Sequence, residues 1–332
     1  MKGMKKLPLW PPSRSREHHW WPVALQKCWA DEHGDVWWIE PDGKIDKKRA
    51  DNRKLARKAH GHTMFRGGRW EQNFEGEFSS ADNGIPKVVE TLRDLKPLGT
   101  TPAEDFGVLL DRPRYLRDFC EFYALDESTH RALLLLLVSL LIRSPAHRHI
   151  YENYPVRFGL EPSDAVGKAN MHQHFRIAKK LCETGFLSNQ YFVLIHSPRK
   201  NFVFGDGILD WLSGSLTGLN LSGRTLVTLT PHLCIYFCTP HIMRPTPNCA
   251  SLSAPPWMID WINNIVQIYA RDYLFFRGSP PVLTDTFRLR RFQQHAEKRD
   301  ELIDMLDEVA GNRFTGGIFG RGPFHEVARR RN

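Results

Sequence analysis

The chain has 332 residues, 41% of them hydrophobic, which is enough to bury a sizeable core in one large domain or two small ones. Its six cysteines (Cys28, Cys120, Cys182, Cys234, Cys238, Cys249) include no Cys-x-x-Cys pair, which argues against a zinc knuckle or a dense disulfide framework. The net charge is +9, and residues 1–70 alone hold 16 basic and 8 acidic side chains, so nearly all of the excess forms an N-terminal patch suited to a polyanion such as nucleic acid.

Residues 1–17 read as an irregular lead-in rich in Pro and Arg. The opening MKGMKKLPLWPP places two prolines where a signal peptide has its apolar block, so a cytoplasmic protein without a membrane partner is expected. His18-His19-Trp20-Trp21-Pro22 precedes a short apolar turn or helix over Val23–Trp29. Asp35–Glu40 has the aromatic and β-branched content of a strand, and Pro41-Asp42-Gly43-Lys44 is a turn signal. Lys44–Lys58 is predicted to be mostly helical, its cations recurring at spacings of three to five along one face. Gly67-Gly68 breaks the chain before an acidic and aromatic segment, and Ile85–Leu95 resumes as an amphipathic helix. Residues 96–105 read as a loop and Tyr115–Tyr123 as helix.

Asp126 is placed to cap the most apolar stretch, Ala132–Ile142. Apolar residues surround every face of that helix, so it must be buried on all sides, and it falls short of the roughly 20 residues that span a bilayer. Arg143-Ser144-Pro145 ends it, with Ser144 driven out of helical angles. Asn170–Leu187 is a further helix. Gln190–His196 is a strand, residues 197–201 a turn, and Phe202–Phe204 a returning strand; Thr225–Thr230 and Leu233–Cys238 form a second hairpin. Pro255-Pro256 opens a long helix, Trp257–Phe276, and a charged helix over Thr286–Ala310 precedes a loose basic tail. The expected fold class is α+β: a predominantly helical single core with a small antiparallel β-sheet. The expected division is the lead-in, one domain over 18–285, and a charged helix with its tail over 286–332.

No phosphate-binding Gly loop, Gly-x-Ser-x-Gly elbow or His-Glu-x-x-His helix is present in the sequence. Several blocks taken in order do form a pattern: His19-x-x-Pro22, DVWWIEPDGK, Arg143-x-Pro145, FVFGD, TLTPHLCIYF and WINNIVQIYARDYLF. From about residue 18 to 277 the chain resembles the bacterial family catalogued as domain of unknown function 4238. That family has no settled activity, so the resemblance implies a fold and a choice of residues, and a setting in which a defence or toxin role would fit. It selects His19, Pro22, Arg143, Pro145 and Asp206. The family's Ser before that Asp is Gly205 here, and its Glu at the amphipathic helix is Asp82, with Glu75 and Glu77 nearby.

A His and two or three carboxylates brought together from separate segments are the residue types that hold a divalent metal such as Mg²⁺ or Mn²⁺ and activate water. His19, Asp206 and one of Glu75, Glu77 or Asp82 form the expected set. Lys47, Lys48, Arg53, Lys54, Arg57 and Lys58 would hold phosphates, and Arg143 would stabilise a phosphoryl transition state. The expected activity is that of a metal-dependent hydrolase, a nuclease or phosphodiesterase acting on nucleic acid. Each residue also has a plainer reading: His19 caps a turn, Asp206 makes an Asx-turn between two glycines, Arg143 caps helix carbonyls, and Trp20, Trp21, Trp37 and Trp38 are core. A nucleic-acid-binding or interaction module without catalysis is the first alternative. A metal-independent ribonuclease resembling the HEPN group, using Arg143 and His149, is the second, although Pro145 interrupts the helix that would carry that pair. His172 and His174, two apart on a helix, diverge and are poor joint ligands.

Overall fold

Asp35 opens a strand whose partner is set by the turn after it, and the same kind of pairing organises the rest of the chain. A computed structural model describes residues 17–50, 52, 54–66, 69–97, 113–184, 189–240, 247–292, 295 and 299–311. In order, the elements are β1 (Glu17–His19), α1 (Val23–Trp29), β2 (Asp35–Ile39), β3 (Ile45–Arg49), β4 (Arg57–Ala59), β5 (Thr63–Arg66), β6 (Arg69–Asn73), α2 (Ser79–Asp82) and α3 (Ile85–Asp94). There follow β7 (Glu121–Tyr123), α4 (Glu127–Arg143), α5 (Pro145–Glu152), α6 (Asp164–Glu183), β8 (Tyr191–His196), β9 (Phe204–Gly205), β10 (Leu209–Asp210) and α7 (Ser213–Leu216). The chain closes with β11 (Arg224–Thr230), β12 (Leu233–Cys238), β13 (Cys249–Ser253), α8 (Pro256–Tyr269), β14 (Leu274–Phe276), α9 (Asp285–Arg288) and α10 (Glu301–Val309).

The expectation of a mostly helical body with one small antiparallel sheet is overturned. A six-stranded sheet runs β10-β11-β12-β8-β13-β7, and it is mixed because β13 lies parallel to β8. A four-stranded antiparallel sheet runs β3-β2-β14-β9, and two ribbons pair β1 with β4 and β5 with β6. The strands looked isolated in sequence because most partners are distant: β14 pairs Phe275 with Trp38, and β7 pairs Tyr123 with Cys249. Local patterning carries no record of such pairing.

Around α4 the expectations hold. Asp126 accepts the Thr129 amide hydrogen at 3.0 Å, Leu133, Leu134, Leu136, Leu137, Leu140, Leu141 and Ile142 are buried, and Ser144 leaves the helix with ψ 140°. The chain bends 54° there, and Ser144 caps α5 by accepting from His147 N at 3.2 Å. Among the described residues no single helix is long and apolar enough to cross a membrane. The hairpin β11–β12 stands where expected.

Four boundaries differ. Lys44–Lys58 is not a helix: Gly43, at φ +87°, closes a hairpin between β2 and β3, and the basic run continues into β4. Tyr115–Tyr123 is a 3-10 stretch over Pro113–Phe119 followed by β7. The strand expected at Phe202–Phe204 is β9, which pairs with β14 instead of folding back on β8. The helix from Trp257 stops at Tyr269, because Ala270 is extended and the chain re-enters a sheet as β14. The last helix divides into α9 and α10, and α10 packs Leu302, Ile303, Leu306 and Val309 into the core that α4 occupies.

Candidate functional site

Pairing of β1 with β4 sets His18 opposite Lys58 and His19 opposite Arg57, and side-chain alternation sends the two histidines to opposite faces. His18 is buried and its ring stacks on His62 with centroids 5.1 Å apart and planes 16° apart. The His62 backbone N–H donates to His18 Nδ1 at 2.6 Å. His62 Nδ1 donates to Glu75 Oε2, and Glu75 is oriented in turn by its own N–H, which donates to Asn73 Oδ1 at 2.9 Å. Phe74 and Phe78 pack against the His62 ring at 5.5 and 5.0 Å. Burial lowers the pKa of His62 to about 4 against the pull of Glu75. Burial raises Glu75, but the hydrogen bond and charge of His62 outweigh it and hold the carboxyl below its ordinary range. At neutral pH the result is a neutral imidazole, Nδ1–H fixed on a carboxylate, with its lone pair on Nε2.

His62 and His18 line a cavity of about 220 Å³ together with five cations, Arg57, Lys58, Arg143, Arg148 and Arg271, and with Glu152, Asp206 and Asp272. Carboxylates fix most of the cations. Arg143 donates to Asp82 from Nη1 at 3.0 Å and from Nη2 at 2.6 Å, over the ring of Phe78. Arg148 binds Glu152 at 2.5 Å, Asp164, and the Gly61 carbonyl at 3.0 Å, while Lys58 reaches Glu152 at 3.3 Å. Guanidiniums held in this way meet an anion without losing further side-chain freedom.

Asp206 sits in this wall, fully buried between two tightly packed glycines. A Cβ on Gly207 would lie 1.8 Å from the Tyr269 carbonyl oxygen, and one on Gly205 would lie 2.9 Å from Ala270 Cβ, which explains why no serine stands at 205. The Asp206 carboxylate accepts Arg271 N–H at 2.7 Å and Asp272 N–H at 3.1 and 3.2 Å. It therefore organises a distant turn instead of the local Asx-turn its glycines suggest. Burial, opposed by these N–H groups and joined by the Asp272 charge, pushes its pKa up to about 7.

The metal set expected from the sequence is not brought together. Among the described residues, one group of three ligand-type side chains converges, with ligand atoms within 4.8 Å of one another: His18, His62 and Glu75. Glu75 was foreseen, whereas His19, Asp82 and Asp206 lie outside the group. Asp82 is spent on Arg143, Asp206 on the 271–272 turn, and Glu77 on His172 Nε2 at 2.8 Å. His19 is half-buried, with Nε2 enclosed and unpartnered; burial, opposed by Glu75, lowers its pKa. The group that does converge suits a divalent metal poorly. His18 uses its single lone pair, on Nδ1, to accept the His62 N–H, so Nε2 carries the proton and none is left for an ion. His62 and Glu75 remain, already joined to each other, where catalytic zinc takes three protein ligands and Mg²⁺ asks for free carboxylate oxygens.

The basic run is split by its strands. Lys47 pairs with Asp35 at 2.9 Å and lies over Trp37, while Lys48 lies over Trp38 on the other face. Lys48, Lys54 and Arg57 line a second hollow of about 120 Å³, and Arg57 and Lys58 line the first. Arg53 lies outside the described residues. Arg143 and His149 have different neighbours, His149 facing Asn153 and Phe292, so the ribonuclease-like pair has no common site. His172 and His174 diverge, the latter packing on Tyr151 and His147. Trp20, Trp21 and Trp38 are core, and Trp37 is half-buried.

Sequence reasoning missed His18, His62, Arg148 and Arg271. The one local signal was His60-Gly61-His62, where glycine lets the backbone pass close to Arg148. No family model, no curated protein and no solved structure matches this chain.

Proposed function

We propose that the protein binds nucleic acid through its phosphates and hydrolyses a phosphodiester in the cavity. The observation that supports this reading is the His62–Glu75 pair set in a wall of five cations. In this mechanism His62 Nε2 takes a proton from water as the water oxygen attacks phosphorus, and Glu75 holds the imidazolium that forms. The arginines and Lys58 stabilise the charge gathering on the phosphoryl oxygens. Asp206, protonated near neutrality, gives its proton to the oxygen that leaves as the P–O bond breaks. One environment lowers a base and another raises an acid within one cavity, the pattern by which acid and base roles are divided.

A second reading, binding without catalysis, is favoured by one feature: the Asp206 carboxylate is fully buried and already accepts two backbone N–H groups. Incubation of single- and double-stranded DNA and RNA with the full chain separates the two, in EDTA and then with added Mg²⁺ or Mn²⁺. Cleavage that persists in EDTA is the expected result. Cleavage only with added metal would overturn the metal-free mechanism, and retained binding with no cleavage under any condition would leave the binding module.

A further inference from the structure

Beside the phosphate cavity lies the smaller hollow of about 120 Å³, and Trp20, Arg57 and Tyr273 belong to both. Its inner surface is aromatic, formed by Trp20, Trp38 and Phe275, and its remaining lining includes Lys48, Lys54 and Tyr273. Two features point to a ligand. Trp38 is 6% exposed, yet its indole N–H is buried with no hydrogen-bond partner, a group that folded proteins seldom leave unsatisfied. Tyr273 is 38% exposed, a large ring presented to solvent where the two hollows meet. Lys48 adds a cation 5.4 Å from the Trp38 ring.

We infer that this hollow is a base subsite: it receives the nucleobase of the nucleotide whose phosphate occupies the adjoining cavity. The inference rests on the phosphate-binding reading above and names the ligand more closely. Aromatic walls stack on any base, since every base has a π-face, and the Trp38 N–H supplies a donor for a ring nitrogen or exocyclic oxygen. Lys48 and Lys54 meet the flanking phosphates. A hollow that served only as packing would have no use for an enclosed donor or an exposed ring at its mouth.

Calorimetric titrations of the full chain in EDTA with adenosine 5′-monophosphate, adenosine, ribose 5-phosphate and inorganic phosphate test it. Wild type should bind the nucleotide about tenfold or more tightly than ribose 5-phosphate, since one stacked base supplies that factor. Tyr273→Ala, which leaves the core intact, and Trp38→Phe, which keeps a ring and deletes the donor, should each remove most of that preference while ribose 5-phosphate affinity stays within about twofold. Equal affinity of wild type for nucleotide and ribose 5-phosphate would overturn the base subsite and leave the phosphate cavity standing. Binding of adenosine with no binding of either phosphate would do the reverse.

Discussion

Arg143 and Asp82 meet as a two-pronged pair, Nη1 to Oδ2 at 3.0 Å and Nη2 to Oδ1 at 2.6 Å, at the point where the apolar helix α4 reaches the cavity. The Arg143 side chain is fully buried and Asp82 partly so. Desolvating a guanidinium is tolerable only while its partner remains, and removing one member of such a pair costs about 3–5 kcal/mol. Because Asp82 retains contact with solvent, the lower end applies. Asp82→Ala should therefore destabilise the protein by about 3 kcal/mol in urea unfolding, and a loss under about 1 kcal/mol would show that the pair does not hold the structure.

Asp206 should make stability depend on pH. Its pKa is raised from 3.8 to about 7, so the folded state prefers the protonated acid. The benefit is complete below pH 3.8 and is lost as pH rises through about 7. Asp206→Asn keeps an acceptor for the Arg271 and Asp272 amides and cannot ionise. Unfolding curves of wild type and variant, measured from pH 4 to 8, should diverge by up to ~4 kcal/mol, with wild type falling. Parallel curves would show that Asp206 ionises freely in the fold.

How much of this was legible in sequence follows from what each residue depends on. The cap at Asp126, the all-round burial of Ala132–Ile142 and the exit at Ser144 are local, set by a few neighbours, and they read correctly. Cations from Lys44 to Lys58 recur at a spacing that suits a helix face, but the turn at Pro41–Lys44 already returned the chain along β2, and the strand places Lys47 and Lys48 on opposite faces. Glu75 and Asp206 were named for a shared ion. Each instead answers to a residue that local pattern could not supply: Glu75 to His62, delivered by the loop after β4, and Asp206 to the turn before β14.

The two-faced strand gives its own test. Lys48 and Lys54 line the aromatic hollow, whereas Lys47 is held by Asp35. Lys48→Glu with Lys54→Glu should weaken binding of a single-stranded oligonucleotide and make the dependence of log K on log salt shallower by roughly one. Lys47→Glu should leave both nearly unchanged. An equal effect of Lys47→Glu would mean that the anion follows the sheet edge and bypasses the hollow.

The central claim concerns His62 and its carboxylate. The most direct measurement is kcat for phosphodiester cleavage by wild type, His62→Gln and Glu75→Gln, with substrate affinity measured separately on the same proteins. Loss of a general base lowers turnover by about 10²–10⁴, and the expected outcome is a fall of that size in His62→Gln, a smaller one in Glu75→Gln, and affinities within about twofold of wild type. Unchanged turnover in both variants, with binding intact, would contradict the account.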